Sequence, residues 1–390
     1  MSEWKKVKLG DCCHSISDGD HLPPPKSKSG IPFVTIANID VTNHIDFGNT
    51  MFVPFEYYDN LNDIRKARCN DILYSVVGSF GKPVLIKENI PFAFQRHIAI
   101  LRPNNEIAES RFLYYIMLSR DFYMQADTVA IGAAQRTISL TALRNMEVEL
   151  PPMETQHRIA TILSRYDSLI ENYQKQIKLL EEAAQRLYKE WFVDLHFPGH
   201  EKTKIVDGVP EGWEKKKLID LVDVQYGYAF DGKLFNNNGE GMPILRIRNI
   251  PDGTTSDYTT EEASENYIVH NGDIVVGMDG IFHINSWSGG DAYLVQRACS
   301  FRPKEENIRG FIFQAVQEPI KFFEQTLVGA TVAHLGKKHI DSIEMIVPSN
   351  GKLYIPFQKG FIQRQNLLSQ IRHLTEARDR LLPKLMSGKI

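Results

Sequence analysis

The sequence contains one series of motifs twice, and this duplication restricts the possible folds more than any other feature of the chain. Six motifs recur in the same order: WKKVKLGD at 4–11 and WEKKKLID at 213–220, GIPFVTIANI at 30–39 and GMPILRIRNI at 241–250, NDILYSVVG at 70–78 and GDIVVG at 272–277, Gln95-Arg96 and Gln296-Arg297, Gly132-Ala133 and Gly329-Ala330, Leu150-Pro151 and Val347-Pro348. The offset drifts from 211 residues (30 to 241) to 197 residues (150 to 347), as expected when loops change length and secondary structure is kept. The sequence therefore predicts two similar halves.

Each half begins with a segment that we predict to fold as a mixed α+β domain. Short β-rich runs alternate with clusters of Gly, Asn, Asp and Pro, which are typical of turns. One helix is predicted at Glu109–Gln125, with a counterpart at Asn307–Thr326. The β-rich runs are Pro32–Ile36, Ile72–Val77, Ile98–Leu101, Ile274–Val276 and Glu344–Val347.

Each half ends with a segment that has few helix breakers and a heptad pattern. The apolar positions step by three and four residues, and an offset of 194 (177 to 371) superposes the two series. In the first half they are Leu163, Tyr166, Ile170, Tyr173, Ile177, Leu180, Ala184, Leu187 and Trp191. In the second half they are Leu367, Ile371, Leu374, Arg378, Leu381 and Leu385.

Neither long helix can bury this seam alone, so we expect the two to form an antiparallel coiled coil that separates the two domains. A helix of about 38 residues is about 57 Å long. Gly360 should delay the start of the second helix, because glycine costs roughly 1 kcal/mol in a helix interior. Arg378 interrupts the second seam, and Pro383 should end or kink that helix. Two similar domains held apart suit a ligand with two separated sub-sites, such as duplex DNA.

Composition and motifs provide no support for a membrane protein or an enzyme. No apolar run is long enough to span a membrane and no signal peptide is evident, so we expect a cytoplasmic protein. Cys12-Cys13-His14 lacks the spacing of a common metal site. The turn at Gly78–Pro83 lacks the phosphate-loop spacing, and no Asn/Asp-Pro-Pro-aromatic methyltransferase motif occurs. Asp207 with Glu214-Lys215-Lys216 is better explained as a solvated charge run than as a nuclease site.

The order of the motifs resembles that of the specificity subunits of type I restriction-modification systems. GAAQRTISLTAL at 132–143 and ELPPMETQHRI at 149–159 resemble the passage from a recognition domain into the first long helix. LYKEWFVD at 187–194 with FPG at 197–199 resembles the helix exit, and RLLPKLMSG at 380–388 resembles the C-terminal signature. The similarity covers nearly the whole chain. One departure is Gly360, which stands where the first copy has Arg158.

The resemblance implies two target-recognition domains, at residues 1–153 and 201–350, each reading half of a bipartite DNA target. It implies a first spacer helix with its exit at 154–200 and a second spacer helix at 351–390. The helices would dock two methyltransferase subunits, which bind S-adenosylmethionine and methylate adenine at N6. Motor-nuclease subunits, with ATP and Mg, would add restriction. No cofactor, metal or catalytic residue is expected in this chain.

Groove recognition requires Arg, Gln, Asn, Ser, Thr or His, and phosphate contact requires Lys, Arg, Ser or backbone amides. Arg96 and Arg297 suit guanine or phosphate, although an ion pair within the domain is the alternative. The loop at 134–137 aligns with 331–334 but differs in residue type, as two different half-sites require. The candidate DNA-binding residues are Ser17, His21, Lys26, Lys28, Ser79, Lys82, Gln95, Arg96, His97, Gln135, Arg136, Thr137, Gln225, Tyr226, Tyr228, Gln296, Arg297, Thr331 and His334. The seam residues other than Ala184 and Arg378 are the candidate contacts of the coiled coil and of partner subunits.

Two alternatives stay open at this point. The chain can be a DNA enzyme with a degenerate active-site motif, or a purely structural coiled-coil repeat protein. The net charge of −3 weighs mildly against DNA binding, because phosphate attracts positive charge. Phosphate contact nevertheless requires a local basic surface and not a basic total.

Overall fold

The computed structural model describes residues 4–21, 23–40, 42–133, 135–327 and 333–388. Close contacts divide the chain into two units, one formed by Met1–Leu169 with Leu374–Ile390 and the other by Ile170–His373. Each unit has a hydrophobic core of its own. The predicted α+β class, with two similar mixed domains and two long helices, is confirmed.

Among its described residues, the first unit contains nine strands and four short helices, together with parts of the two long helices. The strands are β1 (Lys5–Lys8), β2 (Cys13–Asp18), β3 (Ile31–Val34), β4 (Met51–Val53), β5 (Ile72–Ser75), β6 (Pro83–Leu85), β7 (Ala93–Phe94), β8 (Ile98–Pro103) and β9 (Glu147–Leu150). The helices are α1 (Phe55–Asp59), α2 (Ser110–Leu118), α3 (Arg120–Val129), α4 (Leu140–Asn145) and the long α5 (Met153–Tyr188).

The second unit repeats these elements with small additions. Its strands are β10 (Ile205–Val206), β11 (Val209–Pro210), β12 (Trp213–Lys217), β13 (Val222–Tyr226), β14 (Phe235–Asn236), β15 (Met242–Leu245), β16 (Tyr258–Thr259), β17 (Ile268–Val269), β18 (Ile274–Gly277), β19 (Ile284–Ser286), β20 (Ala292–Leu294), β21 (Ala298–Pro303) and β22 (Glu344–Pro348). Its helices are α6 (Leu218–Leu221), α7 (Arg309–Ala315), α8 (Gln317–Thr326), α9 (Lys337–Asp341) and the long α10 (Ile355–Met386).

The four-stranded sheets of the two units have the same topology, whereas the second sheet has three strands in the first unit and five in the second. The four-stranded antiparallel sheet has the order β2-β8-β5-β6 in the first unit and β13-β21-β18-β19 in the second. A parallel pair, β3 with β7 or β15 with β20, lies in a second sheet. An antiparallel pair, β1 with β9 or β12 with β22, joins the start of each domain to its end. The duplicated motifs therefore encode one scaffold twice.

Two glycines at equivalent places allow the backbone to approach the strand before the turn. A Cβ atom at Gly19 would lie 2.1 Å from the carbonyl oxygen of Phe94, and one at Gly227 would lie 2.1 Å from that of Val295. No side chain fits at these distances. The close approach aligns the segment after β2 or β13 with the turn that carries Gln95 or Gln296.

The single helix predicted at Glu109–Gln125 is wrong in one respect, because the structure divides it into α2 and α3. Ser119 adopts an extended conformation, and its hydroxyl accepts a hydrogen bond from the Phe122 amide. A serine in this role starts a new helix. The counterpart at Asn307–Thr326 is also divided, into α7 and α8.

The junctions into the long helices depend on a buried glutamine. Gln156 accepts a hydrogen bond from the amide of Glu109 and donates to the carbonyl oxygens of Pro151 and Ile107. In the second unit, Gln358 accepts from the amide of Gly310 in the same way. These bonds satisfy amide groups at the start of α2 and of α7, which no helical carbonyl can reach.

Within the first unit, the start of α5 packs against the end of α10. Leu163 and Leu385 share the hydrophobic core, and Arg378 donates to Asp167 at 2.8 Å. The residue numbers fall along one helix as they rise along the other, so the two segments run antiparallel. Arg378 interrupts the apolar seam because it forms an ion pair there. Burial opposes its charge, but hydrogen bonds and charge from Asp167 and Asp379 outweigh burial and raise the pKa of Arg378.

Within the second unit, the end of α5 packs antiparallel against the start of α10. Arg364 donates to Glu181 at 2.6 Å and to Asn285 at 2.9 Å, and it also contacts the Ser286 hydroxyl. Further along, the rings of Trp191 and Phe357 meet edge to face at 5.9 Å. The α-helical part of α5 ends at Tyr188, earlier than the predicted Trp191, and continues as a π-helical turn at Lys189–Val193.

Gly360 does not delay the start of α10, and Pro383 does not end the helix. The helix starts at Ile355 and runs through Gly360, because burial of Phe357 and Phe361 on either side outweighs the local cost of the glycine. It also continues past Pro383 to Met386. Burial of Leu385 in the core of the first unit offsets the backbone hydrogen bond that proline cannot donate.

We predict that Arg378→Ala destabilises the chain. Asp167 would remain largely buried with only the Tyr115 hydroxyl, at 2.5 Å, as a hydrogen-bond donor. The free energy of unfolding in urea should fall by about 2 kcal/mol. Arg380→Ala, an exposed arginine on the same helix, should change it by less than about 0.5 kcal/mol. Equal losses in the two variants would contradict a stabilising role for the Asp167 pair.

Candidate nucleic-acid interface

One residue in each unit joins the central strand to two neighbouring segments by backbone hydrogen bonds. In the first unit, the Val76 amide donates to the His97 carbonyl oxygen, and the Val76 carbonyl oxygen accepts from the Ile138 amide. In the second unit, the Met278 amide donates to the Arg297 carbonyl oxygen, and the Met278 carbonyl oxygen accepts from the Leu335 amide. The turn before β8 or β21 and the segment before α4 or α9 therefore meet at the end of β5 or β18.

This register corrects the alignment of the two Gln-Arg pairs by one residue. Ser75 pairs with Ile98, and Gly277 pairs with Ala298, so the offset at this strand is 200 (98 to 298). His97 is consequently equivalent to Arg297, and Arg96 to Gln296. The two arginines predicted to play matching roles occupy adjacent but different positions of the scaffold.

The turn before β8 places its candidates in different environments. Arg96 is exposed and has no ion pair with any described residue, so its guanidinium group is available to a ligand. Gln95 and His97 are half-buried. Burial, and then the charge of Arg96, lower the pKa of His97, which keeps the ring neutral at neutral pH.

The loop at 135–137 contains one free and two engaged candidates. Gln135 is exposed. Arg136 pairs with Asp127, donates to backbone carbonyls of α3 and its C-cap, and lies 5.3 Å from the Phe80 ring centre. Thr137 forms isolated bridges to Val77 and Ile131. Arg136 therefore holds the loop in place, which differs from the DNA contact that the sequence suggested.

The turn between β5 and β6 presents Ser79 and Lys82. The Ser75 hydroxyl donates to the Ser79 carbonyl and accepts from the Lys82 amide, both at 2.9 Å. These two bonds close the turn and occupy the Lys82 amide, which is therefore not free for a phosphate. The Ser79 side chain is exposed, and that of Lys82 is half-buried.

Four candidates follow β2 or lie within it. Ser17 is 7% exposed in the strand, so it cannot reach a DNA groove and is withdrawn as a candidate. His21 is exposed and lies 2.9 Å from the Asp18 carboxylate. Lys26 and Lys28 are exposed and have no ion pair with any described residue. The two lysines are suited to phosphate contact.

Three candidates lie at the end of β13 or just after it, and they are mostly engaged within the domain. Gln225 donates to the backbone carbonyl of Tyr226. The Tyr226 hydroxyl is buried without a hydrogen-bond partner among the described residues. Burial, and then the nearby Cys299 and Asp341, raise the pKa of Tyr226 to about 12. Tyr228 packs against Phe230 in a small aromatic core. The two tyrosines are thus structural, contrary to our expectation.

The turn before β21 carries two exposed polar candidates of the second unit. Gln296 is exposed, and Arg297 is 68% exposed. Arg297 Nε lies 3.3 Å from Asp279, and His334 Nδ1 lies 2.6 Å from the same carboxylate. Thr331 lies outside the described residues. Sequence reasoning missed Asp279, Asp127 and Asp18, because a search for DNA-binding residues selects donors and passes over acids.

The predicted seam residues all lie on buried or half-buried faces of the long helices. Those in the first unit are Leu163, Tyr166, Leu374, Leu381 and Leu385, and those in the second are Ile170, Tyr173, Ile177, Leu180, Leu187, Trp191, Leu367 and Ile371. Some apolar residues off the seam are exposed, including Leu169 (44%) and Leu179 (64%).

The described residues contain neither a metal-binding cluster nor a membrane-spanning helix. No group of three or more His, Cys, Asp or Glu side chains is placed to hold a metal ion within the described ranges. Among the helices described, none is both long and apolar enough to cross a membrane.

The chain contains two copies of one α+β scaffold, with different polar side chains on equivalent turns, and two long helices. This arrangement is typical of a nucleic-acid-binding protein with two recognition domains. The chain matches the family model of the type I restriction modification DNA specificity domain over residues 1–182 and 210–372. It therefore belongs to the specificity-subunit family of type I restriction-modification systems. Subunits of this family recognise DNA, assemble with other subunits and are not themselves catalytic.

Individual relatives agree with this assignment. The chain is 24% identical to the type I restriction enzyme HindI specificity subunit of Haemophilus influenzae, over the full length of both chains. It is 26% identical to the MjaIX specificity subunit of Methanocaldococcus jannaschii, over 72% of this chain and 69% of the relative. The crystal structure of a type I S subunit from M. genitalium shares the fold, with a TM-score of 0.59 and 19% identity, over 98% and 96% of the two chains.

We predict that Arg136→Ala loosens the loop at 135–137. The ion pair with Asp127 and the stacking on Phe80 are partly exposed, so the free energy of unfolding should fall by about 1 kcal/mol. Hydrogen exchange of the Gly78 amide, which donates to the Arg136 carbonyl, should become faster. Gln135→Ala serves as the control and should leave both quantities unchanged. Unaltered exchange in Arg136→Ala would show that the side chain does not hold this loop.

Proposed function

We propose that each recognition domain of this chain reads one half of a bipartite DNA target. One observation carries the proposal: the two domains share a backbone frame but present different side chains on it. At equivalent positions the first domain has Val77, His97 and Thr137, and the second has the half-buried Asp279 with the exposed Arg297 and His334. One scaffold with two different sets of side chains is suited to two different base sequences.

The long helices complete the proposal. They set the gap between the half-sites and dock two methyltransferase subunits, which methylate adenine at N6 with S-adenosylmethionine. Motor-nuclease subunits that use ATP and Mg add restriction. Exposed apolar residues off the seam, such as Leu169 and Leu179, provide surface for such partners. No cofactor binds to this chain in the proposed complex.

We predict that Arg96→Ala and Arg297→Ala alter different halves of the target. The test is adenine-methylation mapping in a host that expresses the chain with its methyltransferase. Wild type should give a bipartite motif with a fixed gap, absent when the methyltransferase is expressed alone. Each variant should relax the motif at one half and keep the other, because a bidentate arginine contact contributes about 1–3 kcal/mol of base discrimination. Changes confined to the same half would contradict one domain per half-site.

We predict that Lys26→Ala and Lys28→Ala weaken binding to all DNA sequences alike. Loss of one phosphate contact should reduce the slope of log K against log salt by about 0.9. Fluorescence anisotropy with the assembled methyltransferase complex measures this slope on target and non-target duplexes. Lys204→Ala, an exposed lysine on the segment after α5, is the matched control. A change of base preference in place of the slope would assign the two lysines to base recognition.

A further inference from the structure

We propose that Asp279 is a positioning residue that holds Arg297 and His334 for base recognition, and that Arg297 contacts a guanine in the half-site read by the second domain. This inference rests on the function proposed above. It adds an acidic residue that makes no DNA contact itself and assigns the chemistry of one base contact.

The carboxylate of Asp279 lies beneath two exposed side chains. Asp279 is 19% exposed, whereas Arg297 is 68% and His334 is 60% exposed. Its Oδ1 accepts a hydrogen bond from His334 Nδ1 at 2.6 Å, and its Oδ2 lies 3.3 Å from Arg297 Nε. An ionised carboxylate only accepts hydrogen bonds, so Nδ1 of the histidine must carry a proton. The acid thus fixes the orientation of both neighbours.

The groups that face outward are those that recognise bases. Arg297 uses Nε toward the acid, and its two terminal amino groups have no partner among the described residues. Two parallel N–H groups match the O6 and N7 acceptors of guanine in the major groove. In the neutral form of the ring that carries its proton on Nδ1, His334 offers Nε2 as an acceptor, which suits an amino group of a neighbouring base.

The backbone of Arg297 supports a functional role. Its φ of 71° lies in the left-handed region, which is unfavourable for a residue with a Cβ atom. His97, the equivalent residue, is not among the residues with positive φ. Strained residues of this kind are concentrated at binding sites, where the surrounding structure holds them in place. The main-chain bond from Met278 to the Arg297 carbonyl holds this turn.

The first domain shows that the scaffold does not require the acid. Val77 pairs with Thr137 at the position where Asp279 pairs with His334. Asp279, Arg297 and His334, here called the trio, are therefore all replaced in a domain with the same fold. A structural ion pair behaves differently: Arg102 with buried Asp71 in the first domain has its counterpart in Arg302 with buried Asp273. The pair that maintains the fold is present in both copies, whereas the trio occurs in one.

The experiment begins with the motif found by methylation mapping. Asp279→Val places the residue of the first domain in the second, and Asp279→Asn removes the charge at similar size. Each variant, assembled with the methyltransferase, is titrated with duplexes that carry guanine or another base at each position of the second half-site. We expect discrimination at one guanine to fall about 10-fold in both Asp279 variants, at the same position as in Arg297→Ala.

The matched control is Asp291→Val. Asp291 pairs with His270 at 2.7 Å in the same domain, and both side chains are exposed, but no arginine of the described ranges forms an ion pair with this acid. This control should leave the motif unchanged. The melting temperatures of the Asp279 variants should stay close to that of wild type, because its partners Arg297 and His334 are exposed and solvent screens such ion pairs.

The outcomes separate the inference from the proposed function. If Arg297→Ala relaxes a guanine and the Asp279 variants do not, Asp279 is not a positioning residue and the inference is overturned. If Arg297→Ala relaxes a base other than guanine, the assigned chemistry is wrong, although the half-site model stands. If no variant changes the second half-site while the bipartite motif persists, both the trio and the assignment of Arg297 to recognition are wrong.

Discussion

Two main-chain hydrogen bonds at the end of each central strand determine where the candidate recognition residues lie. The amides of Val76 and Met278 donate to the turns before β8 and β21, and their carbonyl oxygens accept from the segments before α4 and α9. Because backbone atoms make these bonds, the side chains on both segments can change without loss of the frame. Because the backbone frame does not depend on these side chains, one fold carries an acid, an arginine and a histidine in one unit and a valine, a histidine and a threonine at the equivalent positions of the other.

The sequence predicts the frame better than it predicts the side-chain partners. Duplicated motifs identify the two α+β domains because buried strands and tight turns place the same demands on both copies. Matching the two Gln-Arg pairs shifts the alignment of the two copies by one residue. The pairs lie in a turn, where no fully buried side chain fixes the alignment. Only the pairing of Ser75 with Ile98, and of Gly277 with Ala298, reveals the shift.

The long helices show the same limit. Heptad spacing predicts which faces are buried, because each seam position depends on residues three and four away. It cannot predict that Arg378 and Arg364 are compensated, since their partners Asp167 and Glu181 come from a helix about 200 residues earlier. Likewise, local propensity overestimates the effect of Gly360, whose cost is offset by burial of Phe357 and Phe361. Contacts between residues far apart in the sequence therefore determine features of the helices that the local sequence cannot predict.

The ion pairs within each domain explain what the small net charge means for DNA binding. Many arginines of the chain are neutralised within their own domains, as Arg102 is by Asp71 and Arg136 by Asp127. A chain of net charge −3 gains little general attraction to phosphate. A larger share of its preference for DNA must then come from directional contacts to bases, which demand fixed side chains. A carboxylate that orients donors without cancelling their outward hydrogen bonds, as Asp279 does for Arg297, meets that demand.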